Sequence, residues 1–125
     1  MSKIDYIVII FTDMIATKTF YKDNLGFEIV EDLDTWVSFQ VDPNLLTLRP
    51  RGSLPICDDG PIPSGSAATQ LAFCVPLTSI DRCYEDLVGK GVRILRGPAD
   101  LPKWRHRTVF FSGPENNIIE IYAHY

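Results

Sequence analysis

Glu120 is the residue in this chain best placed to do chemistry. It stands inside the apolar run Ile118-Ile119-Glu120-Ile121-Tyr122. A carboxylate among such neighbours is costly to bury without a cation, a donor or water beside it. It could ligate a divalent metal, or act as a general base if burial raises its pKa. An exposed acid on an edge strand is the plainer alternative. Arg49 ends the run Leu45 to Arg49 and could neutralise such an acid or bind a ligand carboxylate or phosphate. It could equally extend into solvent from a strand end. Pro102 to Arg107 surrounds the flat face of Trp104 with Lys103, Arg105, His106 and Arg107. That composition suits an aromatic or anionic ligand, unless Trp104 only packs over a sheet end and the basic groups are solvated. The histidines are His106 and His124. His124 lies four residues past Glu120, about 13 Å along a strand at ~3.3 Å per residue, too far to share one ion with it.

These groups need elements to position them. Gly113, Pro114, Asn116 and Asn117 are turn formers, so the chain should reverse between Phe110-Phe111 and Ile118 and form a hairpin. In the second strand Ile118, Glu120 and Tyr122 share one face, and Ile119, Ile121 and Ala123 the other. Ile4 to Phe11 is almost continuously apolar and β-branched, which favours a buried strand. Thr12-Asp13 offers a helix N-cap, Phe20, Tyr21 and Leu25 a buried stripe, and Gly26 a stop. Strands are expected at Phe27 to Glu31, Trp36 to Val41 and Leu45 to Arg49. Residues 50–66 hold four prolines, three glycines and three serines, the composition of a connecting loop. A strand at Ala68 to Val75 follows, then a helix capped by Thr78 or Ser79. Ile80, Cys83, Tyr84, Leu87 and Val88 fall on one face of that helix. Strands at Val92 to Leu95, Thr108 to Phe111 and Ile118 to Ala123 complete the chain, with Gly97 to Arg107 as a long loop. The order βαβββ thus occurs twice, and Tyr21, Asp23 and Gly26 recur as Tyr84, Asp86 and Gly89 at an offset of 63.

With 125 residues, 46% hydrophobic and 22% charged, the chain has the make-up of one soluble domain with module 1 at about 1–49, a connector at 50–66 and module 2 at about 67–125. A net charge of −4 argues against nucleic-acid and anionic-membrane partners, which select basic surfaces. Residues 1–20 lack a basic n-region and a small-residue cleavage site, and no apolar run is long enough to span a bilayer. A cytoplasmic protein is expected. Cys57, Cys74 and Cys83 have no paired metal-type spacing, which fits reduced thiols.

The closing hairpin resembles that of the vicinal oxygen chelate superfamily, the glyoxalase, bleomycin-resistance and ring-cleaving dioxygenase proteins. Its usual Asp-Pro-x-Gly-Asn turn is matched at Pro114 and Asn117, with Gly113 for the Asp and Asn116 for the Gly, and Glu120 falls on the metal-binding acid. Phe20-Tyr21 with Leu25-Gly26-Phe27 resembles the superfamily's Phe-Tyr-x-x-x-Leu-Gly-Phe. Trp104 to Arg107 resembles its Trp-Gly-x-Arg, with Arg105 where Gly is common. The resemblance covers nearly the whole chain. It implies an α+β fold in which two βαβββ modules curl one mixed sheet into a cup with the helices outside, commonly paired as a homodimer. The superfamily's four metal positions fall on Tyr6, Thr47, Gln70 and Glu120. Two hydroxyls, one amide and one carboxylate are a poor set for a divalent ion. No cofactor is therefore expected, the alternative being a divalent metal at Glu120 and Gln70. Strand parity then lines the cup with Tyr6, Val8, Thr47, Arg49, Gln70, Ala72, Glu120 and Tyr122, and turns Leu46, Leu48, Leu71, Phe73, Ile119 and Ile121 to the helices. The expected function is binding of a small organic molecule, anionic or aromatic, through Tyr6, Thr47, Arg49, Gln70, Trp104, His106, Arg107 and Tyr122. The competing one is a lyase, isomerase, transferase or dioxygenase, metal-dependent or with Glu120 as base.

Overall fold

In the computed structural model, residues 4–53 and 69–125 are described. The chain forms two compact units, Met1–Pro63 and Ser64–Tyr125, each running strand, helix, strand, strand, strand. This is the α+β class expected from the sequence.

In the first unit, β1 (Tyr6–Phe11) leads into helix α1 (Met14–Thr19), which widens into a π-helical turn at Phe20–Asn24, closed by the Leu25 amide donating to the Phe20 carbonyl. The Asp13 carboxylate accepts from the Ala16 amide at 3.0 Å and caps α1, satisfying one of the donors a helix start leaves open. Gly26 follows with φ +75°, the left-handed turn that a residue without Cβ takes at little cost. Then come β2 (Glu28–Leu33), β3 (Trp36–Val41) and β4 (Asn44–Pro50). The sheet order is β1-β4-β3-β2, with β1 parallel to β4 and the other pairs antiparallel. Helix α1 packs on the β4 side of one face. Under it lie Ile9, Phe11, Val37, Phe39, Leu46 and Leu48, all buried, with Tyr21 fully enclosed against Phe27 and Phe39. Each such side chain contributes about 1.5–3 kcal/mol by leaving water.

The second unit repeats the plan with β5 (Gln70–Cys74), a 3₁₀ turn at Leu77–Ser79, α2 (Ile80–Gly89), β6 (Arg93–Leu101), β7 (His106–Ser112) and β8 (Ile118–His124). Its order is β5-β8-β7-β6, with β5 parallel to β8. Leu71, Ile80, Leu87, Val109, Phe111, Ile119 and Ile121 are buried between α2 and the strands.

Several local expectations are corrected. Residues 97–107 are not a long loop: β6 runs to Leu101, β7 begins at His106, and only a four-residue turn separates them. Two register shifts interrupt β6: one leaves Leu95 extra between Ile94 and Arg96, and the other, between Arg96 and Ala99, absorbs Gly97 and Pro98, which broke the strand pattern. No side-chain cap from Ser79 starts α2, because the 3₁₀ turn leads directly into it. Val88 is exposed and does not join the buried stripe. As the sequence indicates, Gly89 and Gly91 close α2: the helix runs to Gly89 and Gly91 makes the left-handed turn at φ +74°, two residues past the position that the sequence repeat aligns with Gly26. Beyond Ser53, the connector expected to 66 lies outside the described residues, as does Cys57.

Candidate functional site

The sheet face that each helix leaves open carries the polar and aromatic side chains. In the first unit, β1 brings Tyr6, β3 brings Trp36 and Ser38, and β4 brings Thr47. Thr47 sits opposite both Val8 and Ser38 in the register. The Ser38 and Thr47 hydroxyls are 2.9 Å apart and buried, each satisfying the other. The Tyr6 ring meets Trp36 edge-on at 6.1 Å. Together with Asp5 and Glu31 these residues line a concavity of about 310 Å³. Val30 and Glu31 both line it, although neighbours in a regular strand point to opposite faces. A β-bulge between Ile29 and Glu31 leaves Val30 unpaired and turns it in. Trp36, Ser38 and Glu31 were not among the residues singled out in the sequence. Their signal was the alternation around buried Val37 and Phe39, which gives Trp36 and Ser38 the same face as Thr47.

Arg49, further along β4, is 8% exposed rather than extended into solvent. Its Nη1 donates to the Pro50 carbonyl at 3.4 Å and the Ser53 hydroxyl at 3.3 Å, so the guanidinium is held against the chain that leaves the strand.

In the second unit Glu120 is half-buried on β8. Its Oε1 accepts from the Thr108 hydroxyl at 2.7 Å, and its Oε2 accepts from the Gln70 amide at 3.5 Å. Thr108 is fully buried, and its hydroxyl also approaches the Ile121 carbonyl at 3.3 Å. Mid-strand Glu120 is therefore a carboxylate held by two neutral donors from the flanking strands. Two residues on, Tyr122 stacks on His106 with ring centres 4.4 Å apart and planes 24° apart.

Trp104 lies in the β6–β7 turn, 59% exposed, with the Lys103 ammonium 5.2 Å from its ring centre. Arg105 has φ +51° and Asn116 has φ +60°. Both stand where the resembled motifs have Gly, so the left-handed backbone is kept while the residue differs. Arg107 faces away from His106. Its Nε donates to Asp81 of α2 and its Nη1 to Asp100 of β6, each at 3.0 Å. The hydrogen bond to Asp81, then that to Asp100, raises the guanidinium pKa above its already high ordinary value, so Arg107 is cationic at any working pH. It ties helix to sheet on the face opposite the acid.

Over residues 3–121 the chain matches the Glyoxalase/Bleomycin resistance protein/Dioxygenase superfamily, and it belongs to that family. It is 27% identical to the uncharacterized protein YraH of Bacillus subtilis (strain 168) over 124 residues, 96% of this chain and 97% of that one. A glyoxalase-related enzyme from Fulvimarina pelagi is similar in structure, with TM-score 0.83 and 21% identity over 99% of this chain and 89% of that one. The fosfomycin resistance protein FosX of Listeria monocytogenes is similar with TM-score 0.79 and 18% identity, covering 100% and 95%.

Members of the family that bind metal raise the question whether this chain's residues fit an ion. Of the four corresponding side chains, the Thr47 hydroxyl is engaged with Ser38, Tyr6 is 49% exposed beside Trp36, and only Gln70 and Glu120 offer suitable oxygens. Among the described residues no group of three or more His, Cys, Asp or Glu side chains lies close enough to hold an ion. Neutral hydroxyls such as those of Tyr6 and Thr47 are weak ligands for a divalent ion at neutral pH.

Proposed function

We propose that the protein binds a small organic molecule on the open sheet faces, without a metal at the family position. The observation that carries this reading is the lining: Tyr6, Trp36, Ser38 and Thr47 in the first unit, and Gln70, Glu120, Thr108, Tyr122 and His106 in the second, supply aromatic faces and hydrogen-bonding groups but few metal donors. Flat rings beside a small number of fixed polar groups suit a planar or partly aromatic ligand. Within the first unit Arg49 offers a cation for an anionic ligand, and within the second Trp104 offers an exposed ring for an aromatic one. The competing reading, a lyase, isomerase or dioxygenase acting through Glu120, draws support from the catalytic and resistance proteins that share the fold, which is an argument from analogy. A cytoplasmic homodimer is the assembly we infer.

Thermal-shift screening of chelator-treated protein against small carboxylates, phosphates and planar aromatics should give hits, since a molecule bound only by the native state raises the midpoint. Trp104→Ala and Arg49→Gln should each reduce the shift. Gln is preferred to Ala at position 49 because the buried Arg49 stem also packs. Hits whose shift is unchanged in both variants, or that need added metal and are lost in Glu120→Gln, would overturn the reading.

A further inference from the structure

His106 opens β7 and His124 closes β8, and the antiparallel register sets them directly opposite each other. They are the protein's two histidines. Their ring centres are 4.7 Å apart with planes at 74°. Tyr122 backs the pair, stacked on His106 and edge-on to His124 at 5.4 Å. From these positions we propose that His106 and His124 form a two-imidazole chelate for a borderline divalent transition cation of the zinc, nickel or copper type, separate from the family's metal position.

Geometry is the first support. Two imidazoles on one tetrahedral ion, with metal–nitrogen bonds of ~2.0–2.1 Å, have ring centres about 5 Å apart, close to the spacing already present. The rings are perpendicular rather than both edge-on to a common point, so one must turn. Histidine χ2 has a broad two-fold profile, and His124 is exposed, so its ring turns without moving backbone. Tyr122 holds the other ring by stacking. Chemistry is the second support. Neutral imidazole selects zinc, nickel and copper over magnesium and calcium, which demand oxygen. The net charge of −4 raises the local concentration of any cation. With no third protein donor of the usual kind among the described residues, the remaining coordination positions stay open to water or to an anionic molecule. The site is therefore exchangeable and not structural. Glu120 is four residues from His124 on β8, about 13 Å at ~3.3 Å per residue, so it takes no part.

The test uses untagged protein stripped with chelator, then dialysed and titrated with Ni²⁺, Zn²⁺ and Mg²⁺ by calorimetry. One equivalent of Ni²⁺ or Zn²⁺ should bind saturably and Mg²⁺ should not. Saturable binding should be lost in His106→Gln and in His124→Gln, and kept in Glu120→Gln. In unsubstituted protein, sub-stoichiometric Ni²⁺ should broaden the imidazole proton resonances of both histidines together, a readout independent of any variant's folding. The proposal is overturned if no saturable binding occurs, if one histidine broadens without the other, or if the affinity survives both histidine variants. Binding lost only in Glu120→Gln would overturn it too, and would separately overturn the metal-free reading of the ligand face.

Discussion

At the scale of single residues, the hydrogen bond between Thr108 and Glu120 decides how the central acid is held. The hydroxyl is fully buried and donates at 2.7 Å to a carboxylate that is itself half-buried. Thr108→Val keeps the shape and removes the donor. Hydrogen bonds to charged groups contribute roughly 1.5–3 kcal/mol, but water reaches Glu120, so a loss of about 1–2 kcal/mol in urea unfolding is expected. In Glu120→Gln the same change at Thr108 should cost less, and a double-mutant cycle without coupling would remove the bond from this account. Val37, Phe39 and Leu48, by contrast, are fully enclosed and serve packing.

At the scale of elements, two features connect sequence departures to backbone. Arg105 occupies the β6–β7 turn with φ +51°. A left-handed conformation costs a residue with Cβ about 1–2 kcal/mol, against about 0.5–1 kcal/mol of extra chain entropy lost by Gly. Arg105→Gly should therefore raise the unfolding midpoint slightly or leave it unchanged, whereas Arg105→Val should lower it. The second feature is the Asp81–Arg107–Asp100 bridge, which fastens α2 to β6 and β7. The carboxylates are more than half exposed, so screening limits their contribution. Asp81→Asn should cost under about 1 kcal/mol in low salt, a difference that shrinks in molar salt. The sign of any pH effect follows from the direction of the shift. A base whose pKa is raised on folding contributes stability that is lost only as pH rises through that raised value, and for Arg107 this lies above the working range.

At the scale of the whole molecule, two units of similar plan each leave one sheet face without a helix. An open face rich in Tyr, Trp, His and hydrogen-bonding groups is suited to burial against a ligand or a second module. Isologous pairing of two chains would double such surfaces under one symmetry operator. Light scattering at micromolar concentration should give the mass of two chains. A single-chain mass would remove the homodimer and leave the ligand reading standing. No described helix is long and apolar enough to cross a membrane.

Local patterning determined most of the architecture. The twofold βαβββ order, the Asp13 cap, the Gly26 stop and the division of β8 into Glu120 and Tyr122 on one face and Ile119 and Ile121 on the other follow from side-chain period and turn chemistry. These depend only on residues within a few positions of one another. Tertiary structure decided the partners. Thr108 reaches Glu120, Ser38 reaches Thr47, and His106 meets His124 because strand pairing brings together residues that the chain separates. Arg107 turned to α2 for the same reason: Asp81, 26 residues earlier, is beside it only after the helix has docked. The first half of β6 was read as a strand, but its continuation to Leu101 was not, because an irregularity accommodates Gly97 and Pro98 and is defined by the opposing strand. Register is a property of two strands, and one strand's sequence carries only half of it.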